Sequence, residues 1–418
     1  MKFKAPFRYF KDPLFTRFIL FLSIIGPGII TSSLDNDAGG ITTYSLAGSQ
    51  FGYVMLWTFI PMTVALAVIQ EMGIRMGVVS GKGLASLIRE KAGIRLTFFI
   101  LFALIVVNFG NTLAEFSGIS ISASIFGIPP FLSLPLAALF VWGFVVKGSY
   151  RSVEKIFLLA SALYISYIIS GLLTHPDWGT AGVRSVVPQV TTDTAYIMMI
   201  IGLVGATIMP WMQFYIQSSV VEKGVTRQYL NYSRLDAITG SVITNVVAFF
   251  IVIACAATIF VHGIPVNNVA DVSAALAPLA GNYAAVLFAF GFLSASLFAA
   301  SILPLSTALC VCEGLGFEAG VSYGFRDAPV FHGLYAGIIG LAAFVIALPN
   351  MPLLSILYLS QVANGILIPF VLIYMLVIIN DRRIMGNYVN TRTFNYIAWA
   401  TVIITIGLSV TLAFTRFL

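Results

Sequence analysis

A succession of long apolar runs is the feature that most constrains this chain. Reading between charged and Pro- or Gly-rich breaks gives eleven runs, each able to supply the roughly 20 apolar residues that a membrane-spanning helix needs. They are 18–48, 52–78, 97–126, 130–147, 153–173, 194–221, 236–262, 278–312, 329–348, 353–379 and 394–415. Only 9% of the 418 residues are charged, against about 25% in a soluble protein. The sequence therefore predicts an all-α polytopic membrane protein and excludes a soluble enzyme, a nucleic-acid-binding protein and a disordered chain.

The distribution of Lys and Arg predicts how these runs are oriented. With eleven spans, all but Arg184 and Arg416 of the 22 basic residues fall on one side. Because cytoplasmic loops carry the excess of Lys and Arg, we expect a cell-membrane protein with a cytoplasmic N-terminal segment, 1–17, and its C-terminus outside. No cleavable signal peptide is evident, since a long basic flank precedes the first run.

Two of the runs are interrupted near their middles by residues that loosen a helix. The first carries Asp37-Ala38-Gly39-Gly40, and the sixth carries Gly205-Ala206-Thr207-Ile208-Met209-Pro210. These runs open two successive groups of five, 18–173 and 194–379, which leave 394–415 as an eleventh helix. Because five is odd, the second group must insert upside down relative to the first. Paired broken helices that open two inverted repeats predict a transporter with its site near the middle of the bilayer.

Asp37 and Met209 are candidate cation ligands at the two interruptions. An ionised carboxylate within a membrane is costly, so we expect Asp37 to face the protein interior and to have a partner there. Helix capping is the alternative role for this side chain. Pro210 lacks an amide hydrogen and so exposes the carbonyl groups around Ala206. The Met209 thioether favours Mn²⁺, Fe²⁺ or Cd²⁺ over Mg²⁺ and Ca²⁺.

Ordered motifs along most of the chain resemble those of the natural resistance-associated macrophage protein (Nramp) family of divalent-metal transporters. The similar segments begin at Gly26-Pro27-Gly28 and cover 26–53, 76–82, 113–115, 205–219 and 359–361. The resemblance implies a leucine-transporter-type fold, which consists of two inverted five-helix repeats plus extra helices. It also implies that Asp37, the Ala206 carbonyl, Met209 and Gln361 contact the metal.

The chain departs from the family pattern at several site positions. Gly40 stands where the family has an Asn ligand, so this position of the metal site has no side chain. Trp211 replaces a His implicated in proton handling, and Thr112 replaces an Asp, which leaves Glu115 as the nearby carboxyl. The family's paired arginines in span nine have no counterpart, because 333–348 carries no charge. The pattern resembles a divergent branch associated with Mg²⁺ as well as Mn²⁺, and it predicts weak proton coupling or none.

Two opposing signals leave the preferred metal open. Gly40 leaves room for a partly hydrated Mg²⁺, which loses its water reluctantly, whereas the Met209 sulfur favours softer ions. We expect a secondary transporter that imports Mn²⁺ and/or Mg²⁺, with Fe²⁺ and Cd²⁺ as further candidates, by alternating access. Candidate groups along the ion path are Glu115, Thr112, Trp211 and Asp35.

The main alternative is a Na⁺-coupled organic-solute symporter of the same fold, for which Thr42, Ser120 and Ser122 supply candidate hydroxyl groups. A channel needs a continuous pore, and two inverted broken-helix repeats argue for alternating gates instead. No nucleophile–base arrangement, phosphate loop or metal-hydrolase spacing supports an enzyme. The expected partners are the transported metal ion and the lipid bilayer. We expect a monomer, with no resident cofactor and no nucleic acid.

The remaining polar residues within or beside the runs receive structural interpretations. We expect Asp35 and its neighbour Asn36 to be helix caps or groups at the rim of the site. Glu71 and Arg75, one helical turn apart, predict an interfacial ion pair outside the transport path. Asp193 stands where the sixth run begins and predicts a helix cap.

Overall fold

The computed structural model describes residues 34–147, 165–276, 279, 281–320 and 323–417. Its α-helices are α1 Ala38–Phe51, α2 Phe59–Ser80, α3 Leu84–Ile125, α4 Pro130–Lys147, α5 Ile165–Leu173, α6 Trp178–Val186, α7 Thr194–Thr207, α8 Pro210–Glu222, α9 Leu230–Cys255, α10 Ala284–Leu315, α11 Pro329–Ile346, α12 Leu353–Ile379, α13 Arg382–Met385 and α14 Arg392–Phe417. The segment 1–17, the start of the first run with Gly26-Pro27-Gly28, and 153–164 lie outside the described residues.

The helices follow the apolar runs that the sequence predicts. Within the described ranges, eight helical stretches are long and apolar enough to cross a membrane. One of them, Ala38–Ser80, contains two of the expected runs, because the 3₁₀ segment Gly52–Thr58 joins α1 to α2. The all-α class is confirmed, while the count of eleven spans and the two repeats stay predictions.

Large apolar side chains point outward from several helices. Phe99 on α3, Phe131 and Leu139 on α4, Phe344 on α11 and Ile403 on α14 are all at least 64% exposed. Soluble monomers rarely expose large continuous apolar surfaces. These side chains therefore indicate surfaces that face lipid.

Both interruptions are visible in the described part of the chain, the first as the point where α1 begins and the second as a break between two helices. The 3₁₀ turn Leu34–Asn36 precedes α1, and Asp37 between them has an extended backbone with φ −71° and ψ −177°. Between α7 and α8, Ile208 leaves helical geometry with φ −120° and ψ 73°. Pro210 then begins α8, which suits a residue without an amide hydrogen. The first break lies at Asp37 itself, because the two glycines that follow are already helical.

The two breaks lie where the two largest buried apolar clusters meet. Leu34 and Met209 belong to the cluster formed mainly by α2, α3 and α12. Ala38 and Ala206, on the other side of each break, belong to the cluster formed mainly by α1, α7 and α9. Each broken span therefore contributes to both clusters and changes from one to the other at its break.

Glu71 and Arg75 form the expected ion pair on α2, at 2.9 Å. The two side chains are buried within the protein, at 3% and 5% exposure, and the position of the pair at the membrane interface stays a prediction. Glu71 also accepts a hydrogen bond from Arg234 Nε of α9 at 2.7 Å. The carboxylate thus joins α2 to α9 inside the protein.

Arg75 ties α2 to the segment that leads into α14. Its guanidinium donates to the carbonyl oxygens of Tyr388 and Val389, both at 3.0 Å, and to Asn390 Oδ1 at 2.5 Å. A buried guanidinium needs hydrogen-bond partners, and of its three nitrogens only Nε lacks one among the described residues. This group is therefore a structural connection, in agreement with the prediction that it lies outside the transport path.

Arg75→Ala is expected to lower the stability of the protein strongly. Removing one partner of a buried charge pair costs about 3–5 kcal/mol, and here two backbone carbonyls also lose their donor. The change is measured as the drop in Tm of the detergent-solubilised protein. The matched control is Lys82→Met, which breaks the exposed Lys82–Glu90 pair and should cost about 0–1 kcal/mol. Equal Tm values for the two variants would contradict the structural role of Arg75.

Loops that the charge distribution places on one side meet at one end of the structure. Lys91, after α2, pairs with Asp381, which precedes α13. Arg227 donates to the carbonyl oxygen of Val79 at 3.1 Å, and Gln217 donates to that of Lys82 at 2.9 Å. The loops after α2, α8 and α12 therefore share one face, as expected for cytoplasmic loops.

Candidate functional site

Asp37 caps the start of α1 and keeps one carboxylate oxygen free. Its Oδ1 accepts a hydrogen bond from the Gly40 amide at 2.6 Å, and the side chain is 1% exposed. Its Oδ2 has no hydrogen-bond partner among the described residues. Buried polar atoms in proteins usually have a partner, so this oxygen is available to a cation or a proton. Capping and cation binding use different oxygens and are compatible.

Gly40 serves this site through its backbone alone. A Cβ at this position would overlap the carbonyl oxygen of Asp35 and lie 3.3 Å from Asp37 Oδ1. The missing side chain therefore lets the Leu34–Asn36 turn lie closely over the first turn of α1. The Gly40 amide is a donor, so it orients the Asp37 carboxylate and does not itself bind a cation.

Glu115 of α3 reaches the same end of α1. Its Oε2 accepts a hydrogen bond from the Ala38 amide at 3.3 Å, while its Oε1 has no partner in the described part of the chain. The side chain is fully buried. This hydrogen bond joins α3 to α1, and a role of the free oxygen in ion passage stays a prediction.

The break between α7 and α8 presents a carbonyl group and a sulfur atom. In an unbroken helix the Ala206 carbonyl would accept from the amide of residue 210, but Pro210 has no amide hydrogen. Met209 is fully buried, and its sulfur accepts a hydrogen bond from Trp211 Nε1 at 3.1 Å. The indole therefore engages a lone pair with which the sulfur would otherwise bind a soft metal ion.

Gln361 of α12 packs against both breaks. Its backbone carbonyl lies against Gly205 of α7, and its side-chain Nε2 lies against Gly39 of α1. A Cβ on either glycine would overlap the Gln361 atom next to it. Its Oε1 accepts a hydrogen bond from Asn364 at 2.9 Å. In this arrangement the amide nitrogen faces α1, so a metal contact by the Gln361 oxygen requires the amide to rotate.

A row of neutral polar side chains leads away from Glu115 between α3 and its neighbours. Asn111 and Asn364 exchange hydrogen bonds at 3.0 Å in both directions, and Asn108 donates to Thr307 of α10 at 2.8 Å. Thr112 donates to the Asn108 carbonyl at 2.8 Å, within its own helix. Sequence reasoning did not select the asparagines, although amide side chains inside apolar runs are a signal that was present.

The residues of the Leu34–Asn36 turn are fully enclosed. Asn36 donates to Thr244 of α9 at 3.2 Å, and both oxygens of Asp35 lack a partner among the described residues. Asp35 is 0% exposed and Asn36 is 1% exposed. The Asp37 side chain provides the cap of α1, so the capping alternative for these two residues is wrong, while their place at the rim of the site stays a prediction.

The region between the two breaks offers a mixed set of cation ligands. It contains the free oxygen of Asp37, the carbonyl of Ala206 and the sulfur of Met209, and Tyr44 of α1 joins the breaks by a hydrogen bond of 3.2 Å to Thr207 of α7. Few charged ligands and freed backbone carbonyls at broken helices suit an ion that must be released again. The structure thus brings α1, α7, α8 and α12 together around one candidate ion site.

Comparison with known protein families gives a match over most of the chain. A family model described as natural resistance-associated macrophage protein-like matches residues 28–415. The divalent metal cation transporter MntH of Deinococcus radiodurans is 28% identical over 412 residues, with 93% of this chain and 88% of the relative covered. MntH of Granulibacter bethesdensis is 24% identical over 410 residues, with 95% and 89% covered.

Solved structures share the fold. The manganese transporter of Eremococcus coleocola superposes with a TM-score of 0.77 at 20% identity, with 97% of this chain and 88% of that chain covered. A more distant similarity joins it to MHP1, a nucleobase-cation-symport-1 family transporter in a closed conformation, with a TM-score of 0.53 at 16% identity. That alignment covers 94% of this chain and 93% of the other.

Proposed function

Because the chain belongs to the natural resistance-associated macrophage protein family, we propose that it imports divalent metal cations across the cell membrane by alternating access. It is a multi-pass membrane protein, and the MntH relatives carry the description of divalent metal cation transporters. The single observation that carries the proposal is the buried carboxylate oxygen of Asp37 that remains free at the start of α1. The Tyr44–Thr207 hydrogen bond joins α1 to the break between α7 and α8, where Pro210 leaves the Ala206 carbonyl without its amide donor.

The proposal includes the arrangement of spans that the sequence indicates. It comprises two inverted repeats, 18–173 and 194–379, followed by an eleventh helix over 394–415. The positions of the two broken helices support this arrangement, because each opens one of the repeats. The N-terminus then lies in the cytoplasm and the C-terminus outside, and a monomer contains the whole site.

The ligands expected from the family resemblance are proposed individually. Asp37 supplies the charge, the Ala206 carbonyl supplies a neutral oxygen, and Met209 supplies a soft sulfur. Gln361 joins them once its amide rotates. The Asp35 carbonyl occupies the position that a side chain at Gly40 would take, so the expected room for water there is not present. Such a site, with oxygen and sulfur ligands, fits Mn²⁺ best and admits Mg²⁺.

The path that leads to this site is proposed from residues around it. Glu115 and Asp35 contribute charged oxygens, while Thr112 and Trp211 are turned toward their own helices by hydrogen bonds. Thr112 and Trp211 therefore shape the path, and they do not carry protons. In each transport cycle, the carboxyl groups of Glu115 and Asp35 would contact the metal ion as it passes and water when it is absent.

Met209→Ala is expected to weaken Cd²⁺ and Mn²⁺ binding while sparing Mg²⁺, because sulfur contributes to soft ions and little to Mg²⁺. Calorimetric titration of each ion into the purified protein measures the effect. The control is Met212→Ala, which removes another fully buried methionine of α8. If Met209→Ala weakens all three ions equally, its side chain contributes packing only.

Trp211→Phe is expected to act in the opposite direction to the methionine substitution. Phenylalanine keeps an aromatic ring but removes the Nε1 donor that now binds the Met209 sulfur. The freed sulfur should raise Cd²⁺ affinity several-fold and leave Mg²⁺ affinity unchanged. Unchanged Cd²⁺ affinity in the same titration would show that this hydrogen bond does not regulate the sulfur.

Uptake into proteoliposomes tests the proposed function directly. Vesicles that enclose a metal-quenched fluorophore are given Mn²⁺ outside, once in Na⁺ buffer and once in choline buffer. Quenching that depends on the protein and is equal in both buffers supports metal transport. An absence of quenching, with uptake of organic solutes only in Na⁺, would support the symporter alternative.

A further inference from the structure

Asp35 is a buried carboxyl group that the proposed ligand set of Asp37, Ala206, Met209 and Gln361 does not include. It lies in the 3₁₀ turn Leu34–Asn36, two residues before Asp37, and its side chain is 0% exposed. Neither of its oxygens has a hydrogen-bond partner among the described residues. Asp37, by contrast, has one of its two oxygens bound by the Gly40 amide.

A buried carboxylate in this condition requires a partner. Leaving an ionised group in an apolar interior without hydrogen bonds or an opposite charge is strongly unfavourable. Within the described ranges, Asp35 forms no ion pair with Lys, Arg or His. A proton or a bound cation can neutralise the group, and a bound cation that displaces the proton also supplies contacts for both oxygens.

The position of Asp35 places it between the two broken helices. The Tyr44 hydroxyl lies within electrostatic range of both Asp35 and Asp37, and the same hydroxyl bonds to Thr207, the last residue of α7. The backbone carbonyl of Asp35 lies against Gly40. Asp35 is therefore held beside the candidate ion site by the same contact that excludes a side chain at position 40.

Resting on the proposed function, we propose that Asp35 is a second carboxylate ligand of the transported cation and biases the site toward hard divalent ions. Compared with the family pattern, the site lacks the neutral Asn oxygen at position 40 and has a charged oxygen from Asp35 instead. A higher ligand charge raises the affinity of oxygen-liking ions such as Mg²⁺, while the Met209 sulfur, already bonded to Trp211, contributes less to soft ions.

Asp35→Asn tests this assignment by removing the charge and keeping the shape. Calorimetric titration should show the Mg²⁺ dissociation constant rising by roughly 10-fold or more, because ligand charge sets the affinity for hard ions. The Cd²⁺ constant should rise by less than about 3-fold, since Asp37 and Met209 still bind it. The control Asp193→Asn removes a carboxylate from the start of α7 but keeps a capping side chain, and should bind both ions like the unaltered protein.

The outcomes separate this inference from the proposed function. Suppose that the unaltered protein transports Mn²⁺ or Mg²⁺. If Asp35→Asn then binds Mg²⁺ and Cd²⁺ as tightly as the unaltered protein, or loses affinity for both equally, the assignment of Asp35 is overturned and metal transport stands. If the unaltered protein neither transports nor binds any divalent ion, both fail.

A crystal structure of the unaltered protein covers the case in which Asp35→Asn does not fold. Crystals grown with Mn²⁺ are measured at a wavelength where manganese scatters anomalously, which locates the bound ion. A peak within about 2.0–2.6 Å of an Asp35 carboxylate oxygen supports the assignment. A peak that lies beside Asp37 but beyond this distance from both Asp35 oxygens overturns it.

Discussion

Asp37→Ala is expected to abolish Mn²⁺ uptake into proteoliposomes. The Asp37 carboxylate offsets the desolvation of the cation, and removing one partner of a buried charge pair costs about 3–5 kcal/mol. A loss of that size corresponds to roughly a 100-fold or greater loss of affinity. Gly40 has no side chain with which to replace the lost oxygen. Uptake is measured by fluorophore quenching, and metal binding by calorimetry.

Two further variants separate the charge of Asp37 from its capping role. Asp37→Asn retains a side chain able to accept from the Gly40 amide, so it should fold normally and still fail to transport. Asp193→Ala removes a comparable cap, which accepts from the Tyr196 amide at 3.1 Å, and should transport normally. Near-normal uptake by Asp37→Asn would remove Asp37 from the ion site.

The second large effect concerns protons: import of Mn²⁺ or Mg²⁺ down its gradient should not acidify the vesicle lumen. Proton transfer across a membrane needs a chain of titratable groups within reach of one another. In the stretch of α3 next to Glu115, Asn108–Thr112, the described contacts between side chains are between neutral groups, namely the Asn111–Asn364 pair and the Asn108–Thr307 hydrogen bond. A pH-sensitive dye inside the liposomes reports the result.

Proton release at the site is a separate event from proton transport. A divalent cation that binds a carboxyl group displaces its proton, and this proton can return to the side from which the metal came. Metal-dependent acidification of the lumen at neutral pH, absent in Asp37→Ala, would contradict the prediction. An imposed pH gradient that accelerates Mn²⁺ uptake would contradict it equally.

The sequence predicted the helical class and the two breaks because both depend on local chemistry. Apolar runs of membrane length must become helices, since the bilayer leaves backbone groups no other partners. Pro210 interrupts the helical hydrogen bonds after α7 whatever its tertiary surroundings, because it has no amide hydrogen. Asp37 was selected for the same reason, as a carboxylate in an apolar run beside residues that loosen a helix.

Features that depend on contacts between distant segments could not be predicted in this way. The burial of Glu71 and Arg75 depends on Arg234 of α9 and on the segment before α14, which close over α2 from far along the chain. The local sequence also does not reveal that the Leu34–Asn36 turn, which contains Asp35, packs against α1 where Gly40 has no side chain. The hydrogen bond from Trp211 to the Met209 sulfur likewise depends on one side-chain orientation at a helix start.

The location of the bound metal tests the account most directly. Crystals grown with Mn²⁺ and measured at a wavelength where manganese scatters anomalously would show where the ion lies. The account predicts a peak between the two breaks, within about 2.0–2.6 Å of a carboxylate oxygen of Asp37, and no such peak in crystals of Asp37→Asn. A peak located away from Asp37, or one that persists in the Asp37→Asn crystals, would contradict the proposed site.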